Sequence, residues 1–498
     1  MIGPRHLRVA ARAGTRALGL GQRMASAQTE GTLQWPLGSV MSLDIGGSLT
    51  KLVVRSPAGV ATANDVSQGG KPWDVEQAVA AAGSGGVDGP DGFVGRILRR
   101  MPRHPGYRAE LELSDGMGGA LSFLQFETRW MDDFVDILAD LHPFPQHPDG
   151  GELAVPATGG GAFKFAPMFR EKLGFRLEPS DEMHALARGM RYFEAASAHR
   201  WAEEEAASGA PSGTGAGNAG ASEVPPPLSP TGPEMFTYDL GGDRVVAWRD
   251  PAPGAPCLLV SIGSGVSIIK VGQSQPCGDV SVDRVNGCSV GGATFWGLCR
   301  LLTSYRTFDE AVQAADVGDN SKIAMLVSDI YGGEYAKLGL PGDIVASDFG
   351  KVGTRRYPRA PCVQKREDGS SLVEPAVEEA DLTRALLVMV LNNIAQVAHS
   401  SAREHGIDRI FFGGSFLRRG TMMRVLTSAL KFWSGGKTRA AFMRHEGYFG
   451  AMGAMLLAAH RGADKGLAAL PLPGSDGWEE RRGLRALVVG GARILFAP

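Results

Sequence analysis

The chain has 498 residues, enough for two or three domains, and its formal net charge is only -2. No overall basic field and no basic stripe with interleaved aromatic residues points to nucleic acid or an anionic membrane. The five cysteines form no C-x-x-C pair and no histidine cluster has metal spacing, which argues against a zinc site or a disulfide scaffold and favours a reducing compartment. No apolar run reaches the roughly 18 residues of a membrane-spanning helix, so we expect a soluble protein.

Residues 1–29 differ from the rest of the chain in composition. They contain no acidic residue, and Arg5, Arg8, Arg12, Arg16 and Arg23 alternate with small and apolar residues. A basic, amphipathic segment without acids is typical of an organelle transit peptide, and a disordered basic tail is the alternative. The sequence therefore predicts a mitochondrial protein, with a plastid or cytoplasmic location as alternatives.

A strand, a glycine turn and a return strand are predicted for MSLDIGGSLTKLVV (41–54). A tight hairpin turn requires glycine, but it does not require the preceding Asp44. Backbone N–H groups around Gly46, Gly47 and Ser48 are suited to bind phosphate, and an aspartate beside phosphates is a ligand for Mg²⁺, directly or through water. An ordinary tight turn is the alternative.

Two later segments resemble this pattern. VSIGSGVSIIKV (260–271) aligns with LDIGGSLTKLVV (43–54), which predicts two similar lobes whose hairpins face one polyphosphate across a cleft. IDRIFFGGSFLR (407–418) predicts a strand, the Gly413-Gly414 pair and a helix, a junction where a nucleotide can approach the backbone. Each segment alone is compatible with a simple turn, and together they favour a phosphate-binding cleft.

Between the two hairpins, a glycine loop and a capped helix are predicted. VPATGGGAFKF (155–165) either lets the backbone approach an anion beside Lys164 or forms a strained connection. EPSDEMHALARGMRYF (178–193) predicts a helix capped by Ser180 or Asp181, with an apolar stripe. Glu182 in its first turn either complements the helix N-terminus or, if it faces the cleft, acts as a general base.

The segment RVNGCSVGGATFWGLCRLL (284–302) predicts a glycine-rich turn and a helix with the apolar face Phe295, Leu298, Leu301 and Leu302. The guanidinium of Arg284 suits a carboxylate or phosphate, and a surface salt bridge is the alternative.

The alternation of strand-like and helix-like segments predicts an α/β protein. We divide it into an N-terminal lobe (40–195) and a C-terminal lobe (237–460), followed by a tail (463–498) of unknown role. Residues 200–236 are rich in Gly, Ala, Ser and Pro and predict a flexible low-complexity insertion between the lobes.

Seven segments, in order, resemble the eukaryotic-type (type II) pantothenate kinases: ATGGGAFKF, SIGSGVSIIKV, RVNGCSVGGATFWGLC, DIYGGEYAKLGLPGDIVASDFG, NNIAQVAHSSA, IDRIFFGGSFLR and HEGYFGAMGA. The similarity runs from about Ser42 to about Leu457. It implies the actin-like ATPase (acetate kinase–hexokinase–actin-like) fold, with two similar lobes around a nucleotide cleft. It also implies phosphorylation of pantothenate to 4'-phosphopantothenate with ATP and Mg²⁺, the first committed step of coenzyme A biosynthesis, by a homodimer that acetyl-CoA inhibits.

The resemblance also implies roles for single positions. Glu182 matches the catalytic base. The positions that match pantothenate or acetyl-CoA binding are Ser264, Ser267, Arg284, Val345 and Ala346, the last two in a loop that completes the partner protomer's pocket. The positions that match ATP, phosphate or metal binding are Asp44 for Mg²⁺, Gly46, Gly47, Ser48 and Lys51 in the first hairpin, Gly263 and Gly265 in the second, and Gly413 and Gly414 on the adenosine side.

The chain departs from the family pattern at Ser48, where threonine is common, and at Asn286, Cys288 and Ser415. None of these departures removes a side chain that the implied reaction requires. Because Glu182 and Arg284 are both present, we favour an active enzyme. The alternatives are a catalytically silent acyl-CoA sensor and another small-molecule kinase of the same fold. An activator ATPase would need a bridging iron–sulfur cluster, which the cysteine spacing does not support.

Overall fold

The structure is a computed structural model. It describes residues 40–56, 94, 97, 100–101, 106–107, 111, 113–114, 120–140, 153–208, 232–241, 244–250, 252–274, 280–354, 362–365, 371–374, 377–461, 487–489 and 492–494. The predicted transit segment (1–29) lies outside these residues, as do residues 209–231 of the predicted insertion and most of the tail.

The described elements follow in chain order. The strands are β1 (Val40–Ile45), β2 (Leu49–Ser56), β3 (Gly106–Tyr107), β4 (Leu113–Ser114), β5 (Ala120–Glu127), β6 (Leu153–Thr158), β7 (Phe175–Pro179), β8 (Met235–Asp239), β9 (Arg244–Ala247), β10 (Cys257–Ile262), β11 (Val266–Val271), β12 (Val282–Cys288), β13 (Met325–Leu326), β14 (Val345–Ser347), β15 (Cys362–Lys365), β16 (Ser371–Glu374), β17 (Arg409–Gly413), β18 (Arg439–Met443), β19 (Leu487–Val489) and β20 (Ala492–Ile494). The α-helices are α1 (Met131–Asp140), α2 (Gly161–Leu173), α3 (Glu182–Ser208), α4 (Gly292–Leu302), α5 (Phe308–Val317), α6 (Val327–Tyr331), α7 (Gly350–Thr354), α8 (Glu379–Glu404), α9 (Gly420–Ser434) and α10 (Phe449–Arg461).

The two main sheets share one topology. The N-terminal sheet contains the order β5-β2-β1-β6-β7, and the C-terminal sheet contains β12-β11-β10-β17-β18. In each, an antiparallel hairpin is followed by two strands parallel to its first strand. The predicted α/β class with two similar lobes, the arrangement of the actin-like fold, is therefore confirmed, and the sequence repeat falls on β1-β2 and β10-β11.

Helices α3 and α10 pack between the two sheets. One buried cluster combines side chains of both sheets and both helices, including Phe123, Phe193, Phe411 and Met452. The two helices cross at glycines: a Cβ on Gly453 would lie 1.7 Å from Ala185 O. The helix backbones are thus in direct contact, and this crossing fixes α3 relative to α10.

A buried ionic network ties α3 to the C-terminal sheet. Arg191 donates to Glu194 Oε2 at 2.6 Å and to the carbonyl oxygens of Ala255 and Gly272 at 2.7 and 2.9 Å. Burial raises the pKa of Glu194, while the Arg191 guanidinium acts in the opposite direction. Because a buried charge without its partner is costly, this network fixes α3 against β10 and β11.

The ends of the predicted insertion differ from the structure. Helix α3 continues to Ser208, past the predicted start at residue 200, because RWAEEEAAS is rich in the strong helix formers Ala and Glu. Strand β8 begins at Met235, before the predicted end at residue 236, and pairs with β18.

The predicted apolar face of α4 is wrong at two positions. Phe295 is fully buried, but Leu301 is 81% exposed and Leu302 is 49% exposed. The buried positions of the helix are Gly292, Phe295 and Cys299, which share one face at spacings of three and four. Leu301 lies off this face, whereas Leu302, three residues after Cys299, lies on it but at the exposed end of the helix.

One helix in the described part of the chain, α8, has the length and composition to cross a membrane. However, 67% of its most apolar 18-residue stretch is buried inside the protein, and the helix contacts α5 and α9. The core helices of soluble proteins can have the same length and composition, so this helix is weak evidence for a membrane span.

Candidate functional site

Asp44 lies near the end of β1, paired across the first hairpin with Lys51. Lys51 Nζ is 3.5 Å from Asp44 Oδ2, and both residues are only 9% exposed. A Cβ on Gly450 would lie 2.6 Å from Oδ2, and a Cβ on Gly159 would lie 3.0 Å from Oδ1. Two glycines therefore make room for this carboxylate, and Gly450 places it beside the positive N-terminus of α10.

The glycine loop before α2 packs against the end of β1. Gly159 has the left-handed φ of 79°, and a Cβ there would lie 2.7 Å from Ile45 O. Lys164 Nζ lies 5.0 Å from the centre of the Phe165 ring. These contacts support the reading of this loop as a close-packed connection.

Helix α3 begins beside Asp44 because its first residues are tied to β6. Ser180 N donates to Ala157 O at 2.8 Å, and Thr158 Oγ1 donates to Ser180 O at 3.0 Å. Thr158 is in turn the parallel neighbour of Asp44 in the sheet. Of the two predicted caps, Ser180 and Asp181, the structure uses Asp181. Its carboxylate accepts the His184 N–H at 2.9 Å.

Removing this cap has a defined cost. Asp181→Ala is expected to lower the free energy of unfolding by about 1 kcal/mol, within the usual range for helix N-caps. Asp181→Asn keeps an acceptor for the His184 N–H and is expected to cost much less. Urea unfolding of the two variants measures the difference, and equal losses would contradict the capping role.

Glu182 is the first residue of α3, and its side chain is solvent-accessible. Partial burial raises the pKa of its carboxyl, the negative charge of Asp44 raises it further, and Lys51 acts in the opposite direction. Glu182, Asp44 and Lys51 therefore form one electrostatic cluster. The structure places the predicted base beside the predicted metal ligand.

The second hairpin turn, Gly263-Ser264-Gly265, is held by the start of α4. Gly292 N donates to Gly263 O at 2.9 Å, and Ala293 N donates to Ser264 O at 3.1 Å. The first N–H groups of α4 therefore satisfy two carbonyl oxygens of the turn. Ser264 itself is exposed.

The Gly413-Gly414 pair lies directly beside this hairpin. Gly413 pairs with Ser261, and a Cβ on Gly414, whose φ is 108°, would lie 2.4 Å from Ile262 O. On its other side, a Cβ on Gly413 would lie 3.0 Å from the Phe449 ring. Because Phe449 precedes Gly450, the start of α10 connects this region to Asp44.

The predicted substrate positions divide into two groups. Ser267 pairs with Gly287 across β11 and β12, and the Arg284 guanidinium lies over Gly287, where a Cβ would be 2.2 Å from its Nη2. The structure thus brings Ser267 and Arg284 together. Val345 and Ala346 lie instead in β14, which pairs with β13 in a separate two-stranded sheet.

Sequence reasoning missed two residues of this site, Thr128 and Gly450. Thr128 donates a hydrogen bond to Gly46 O in the first hairpin turn, but no local pattern marks a threonine that follows a strand. Gly450 had a signal: Gly447, Gly450 and Gly453 recur at spacings of three in HEGYFGAMGA, which is typical of a close helix crossing.

The model of the protein family named Fumble matches residues 40–207 and 228–457. The chain belongs to the Fumble family. This is the type II pantothenate kinase family, so the resemblance drawn from the motifs is confirmed.

Several relatives show how much of the Fumble family's sequence the chain shares. Pantothenate kinase 1 of Arabidopsis thaliana is 39% identical over 344 residues, 68% of this chain and 76% of that protein. Pantothenate kinase of Schizosaccharomyces pombe is 34% identical over 351 residues, 69% of this chain and 73% of that protein. The match covers only 34% of Arabidopsis thaliana pantothenate kinase 2, so the chain spans about a third of that relative.

Solved structures similar to this Fumble-family chain include a glucokinase and a ParM hybrid protein. Leishmania braziliensis glucokinase is 10% identical with a TM-score of 0.31, over 88% of this chain and 95% of that chain. A Bacillus thuringiensis ParM hybrid with ADP is 8% identical with a TM-score of 0.30, over 93% of this chain and 54% of that chain. Likeness at this level carries no information on substrate.

Proposed function

We propose that this protein is a pantothenate kinase that uses ATP to make 4'-phosphopantothenate, the first committed step of coenzyme A biosynthesis. The observation that carries the proposal is the cluster of Asp44, Lys51 and Glu182 between the first glycine hairpin and the start of α3. The names of the relatives supply the substrate, since two of them, matched over most of their length, are pantothenate kinases.

The proposed reaction needs a base, charge neutralisation and positioning. Glu182 takes the proton of the pantothenate hydroxyl as that oxygen attacks the γ-phosphorus, and the bond to the β-phosphate oxygen breaks. Lys51 lies 3.5 Å from its partner carboxylate, a loose ion pair, so its ammonium can turn towards phosphate. N–H groups of the two glycine turns bind the remaining phosphate oxygens.

The residues present fit a magnesium ion held through ATP. Asp44 offers one carboxylate in a cradle that a side chain at Gly450 would fill. Among the described residues, no group of three or more His, Cys, Asp or Glu is arranged to hold a metal, so phosphate oxygens and water would complete the coordination. When bound, the ion would supply neutralisation of phosphate charge.

We propose further that Ser264, Ser267 and Arg284 bind pantothenate or the inhibitor acetyl-CoA. The guanidinium of Arg284 is exposed beside Ser267, as a carboxylate or phosphate site requires. Val345 and Ala346 are proposed to complete the partner's pocket in a homodimer. A mitochondrial location, from residues 1–29, is likewise a proposal.

The deciding experiment measures phosphopantothenate formed by the purified full chain from ATP, Mg²⁺ and pantothenate. Acetyl-CoA is titrated into the reaction, and glucose and N-acetylglucosamine serve as alternative acceptors. Turnover of pantothenate that acetyl-CoA inhibits supports the proposal. Binding of acetyl-CoA without turnover would instead identify a silent sensor, and phosphorylation of a sugar alone would identify another kinase of this fold.

Removing the proposed metal ligand tests the same site. Asp44→Asn is expected to lower kcat/KM by about 100-fold and to raise the Mg²⁺ concentration for half-maximal rate. Initial rates across a Mg²⁺ series measure both effects. Asp136→Asn, at an exposed carboxylate paired with Lys172, is the matched control and should leave both unchanged. An unaltered Mg²⁺ dependence in Asp44→Asn would exclude Asp44 as the ligand.

A further inference from the structure

Thr128, the first residue after β5, holds both sides of the first glycine turn. Its hydroxyl donates to Gly46 O at 2.8 Å, and its backbone N–H donates to Ser48 O at 2.9 Å. Thr128 is 82 residues away from Gly46 in sequence and is only 7% exposed. One buried residue therefore fixes two carbonyl groups of this turn.

A second threonine supports this contact. Thr50 Oγ1 lies 3.0 Å from Thr128 Oγ1, and Thr50 is fully buried. A hydroxyl carries one hydrogen, and that of Thr128 is given to Gly46 O. Thr50 is therefore the donor to Thr128, and the two hydroxyls form a chain that ends on the turn.

The direction of this chain determines what the turn presents to solvent. In a trans peptide, the C=O of one residue and the N–H of the next point in opposite directions. Because Gly46 O is held towards Thr128, the Gly47 N–H is directed away from it, on the side of the turn where Gly47 and Ser48 are exposed. A phosphate group that binds this turn needs such an outward N–H.

The second lobe contains an equivalent arrangement. Strands β5 and β12 occupy the same place in their sheets, each beside the return strand of a glycine hairpin. The helix after β12 gives the Gly292 N–H to Gly263 O, which aligns with Gly46 O, the acceptor of the Thr128 hydroxyl in the helical turn after β5. Both lobes thus fix their glycine turn from the same topological position, and the first lobe adds a side-chain hydroxyl.

We propose that Thr128 is a positioning residue for the polyphosphate of the nucleotide, acting through the Gly46–Ser48 turn. This inference rests on the proposed kinase function. Thr128 does not touch the substrate; it holds the backbone that does, so its removal should affect phosphate recognition before it affects the acceptor.

The test compares Thr128→Val with Thr128→Ser and with Thr427→Val in the full chain. Thr427 is a matched control because its buried hydroxyl also donates to a backbone carbonyl, Met423 O, at 2.8 Å in α9. Thr128→Val is expected to raise KM for ATP by about 10-fold or more, with KM for pantothenate changed less than about 2-fold. Thr128→Ser restores the hydroxyl and is expected to recover most of the loss, and Thr427→Val should resemble the unmodified chain.

Direct binding separates this inference from the kinase proposal. The dissociation constants of ADP and adenosine are measured by calorimetry, which needs no turnover. Weaker ADP binding by Thr128→Val, with adenosine unchanged, supports the positioning role even if no phosphopantothenate is formed. Equal ADP affinities, or equal losses for ADP and adenosine, would overturn it. If the valine variant does not fold, Thr128→Ala, which cannot overpack the site, gives the same comparison.

Discussion

Replacing Glu182 by glutamine is expected to lower kcat for pantothenate phosphorylation by about 10²–10⁴-fold, the usual contribution of a general base. Glutamine has nearly the same shape but cannot take the hydroxyl proton. The substitution leaves the first hairpin and its Lys51 in place, so KM for ATP should change little. Steady-state rates with both substrates varied measure this separation.

The pH profile identifies the base more specifically. Partial desolvation of the carboxyl and the Asp44 charge raise the pKa of Glu182, so its carboxyl becomes protonated at a higher pH than an ordinary glutamic acid. A base is active only when deprotonated, and the wild-type rate should therefore fall as the pH drops through this raised pKa. The residual rate of Glu182→Gln should lack that acidic limb.

Stability provides the control for Glu182→Gln. A carboxyl whose pKa is raised in the folded state contributes stability below its unfolded pKa, and this contribution is lost as the pH rises through the folded pKa. Ionised Glu182 thus works against folding at neutral pH, and neutral glutamine should leave Tm equal or higher. Glu171→Gln, on the exposed side of α2, should keep full activity. Comparable rates for the two variants would remove Glu182 from the mechanism.

The features that sequence predicted well are local ones. A hairpin turn, a strand-to-glycine junction and a helix cap each depend on a few neighbouring residues, and all three occur where predicted. The repeat of the hairpin also revealed the duplicated lobes, since each copy carries its own pattern. Asp44 could be recognised as a candidate metal ligand because a tight hairpin turn does not require an aspartate before its glycines.

The features that sequence missed depend on distant contacts. Thr128 meets the first turn only because β2 pairs with β5 in one register. The exposed Leu301 reflects which side of α4 packs against α8 and α5, and an apolar helix sequence does not determine that side. The proximity of Glu182 to Asp44 likewise arises from distant contacts: the hydrogen bonds between Ser180 and β6, and the crossing of α3 and α10.

That crossing leads to a second large expected effect. Gly453→Ala places a Cβ only 1.7 Å from Ala185 O, a backbone atom of α3, so the two helices must separate. We expect a loss of about 3 kcal/mol in the free energy of unfolding, at the upper end for overpacking. Because Glu182 lies one turn before Ala185, the separation also displaces the base, and kcat should fall by about 10–100-fold. Urea unfolding and steady-state kinetics measure the two effects.

The chain offers a matched control for this substitution. Gly297 is also a helical glycine, in α4, but a Cβ there would meet no heavy atom within 4 Å beyond the adjacent backbone of its own helix. Gly297→Ala is therefore expected to stabilise the protein by about 0.5–1 kcal/mol through helix propensity alone, with kcat unchanged. If Gly453→Ala lowers the free energy of unfolding and Gly297→Ala raises it, the contact between α3 and α10, not the loss of a glycine, causes the destabilisation. If Gly453→Ala is as stable and active as Gly297→Ala, the close crossing does not position Glu182.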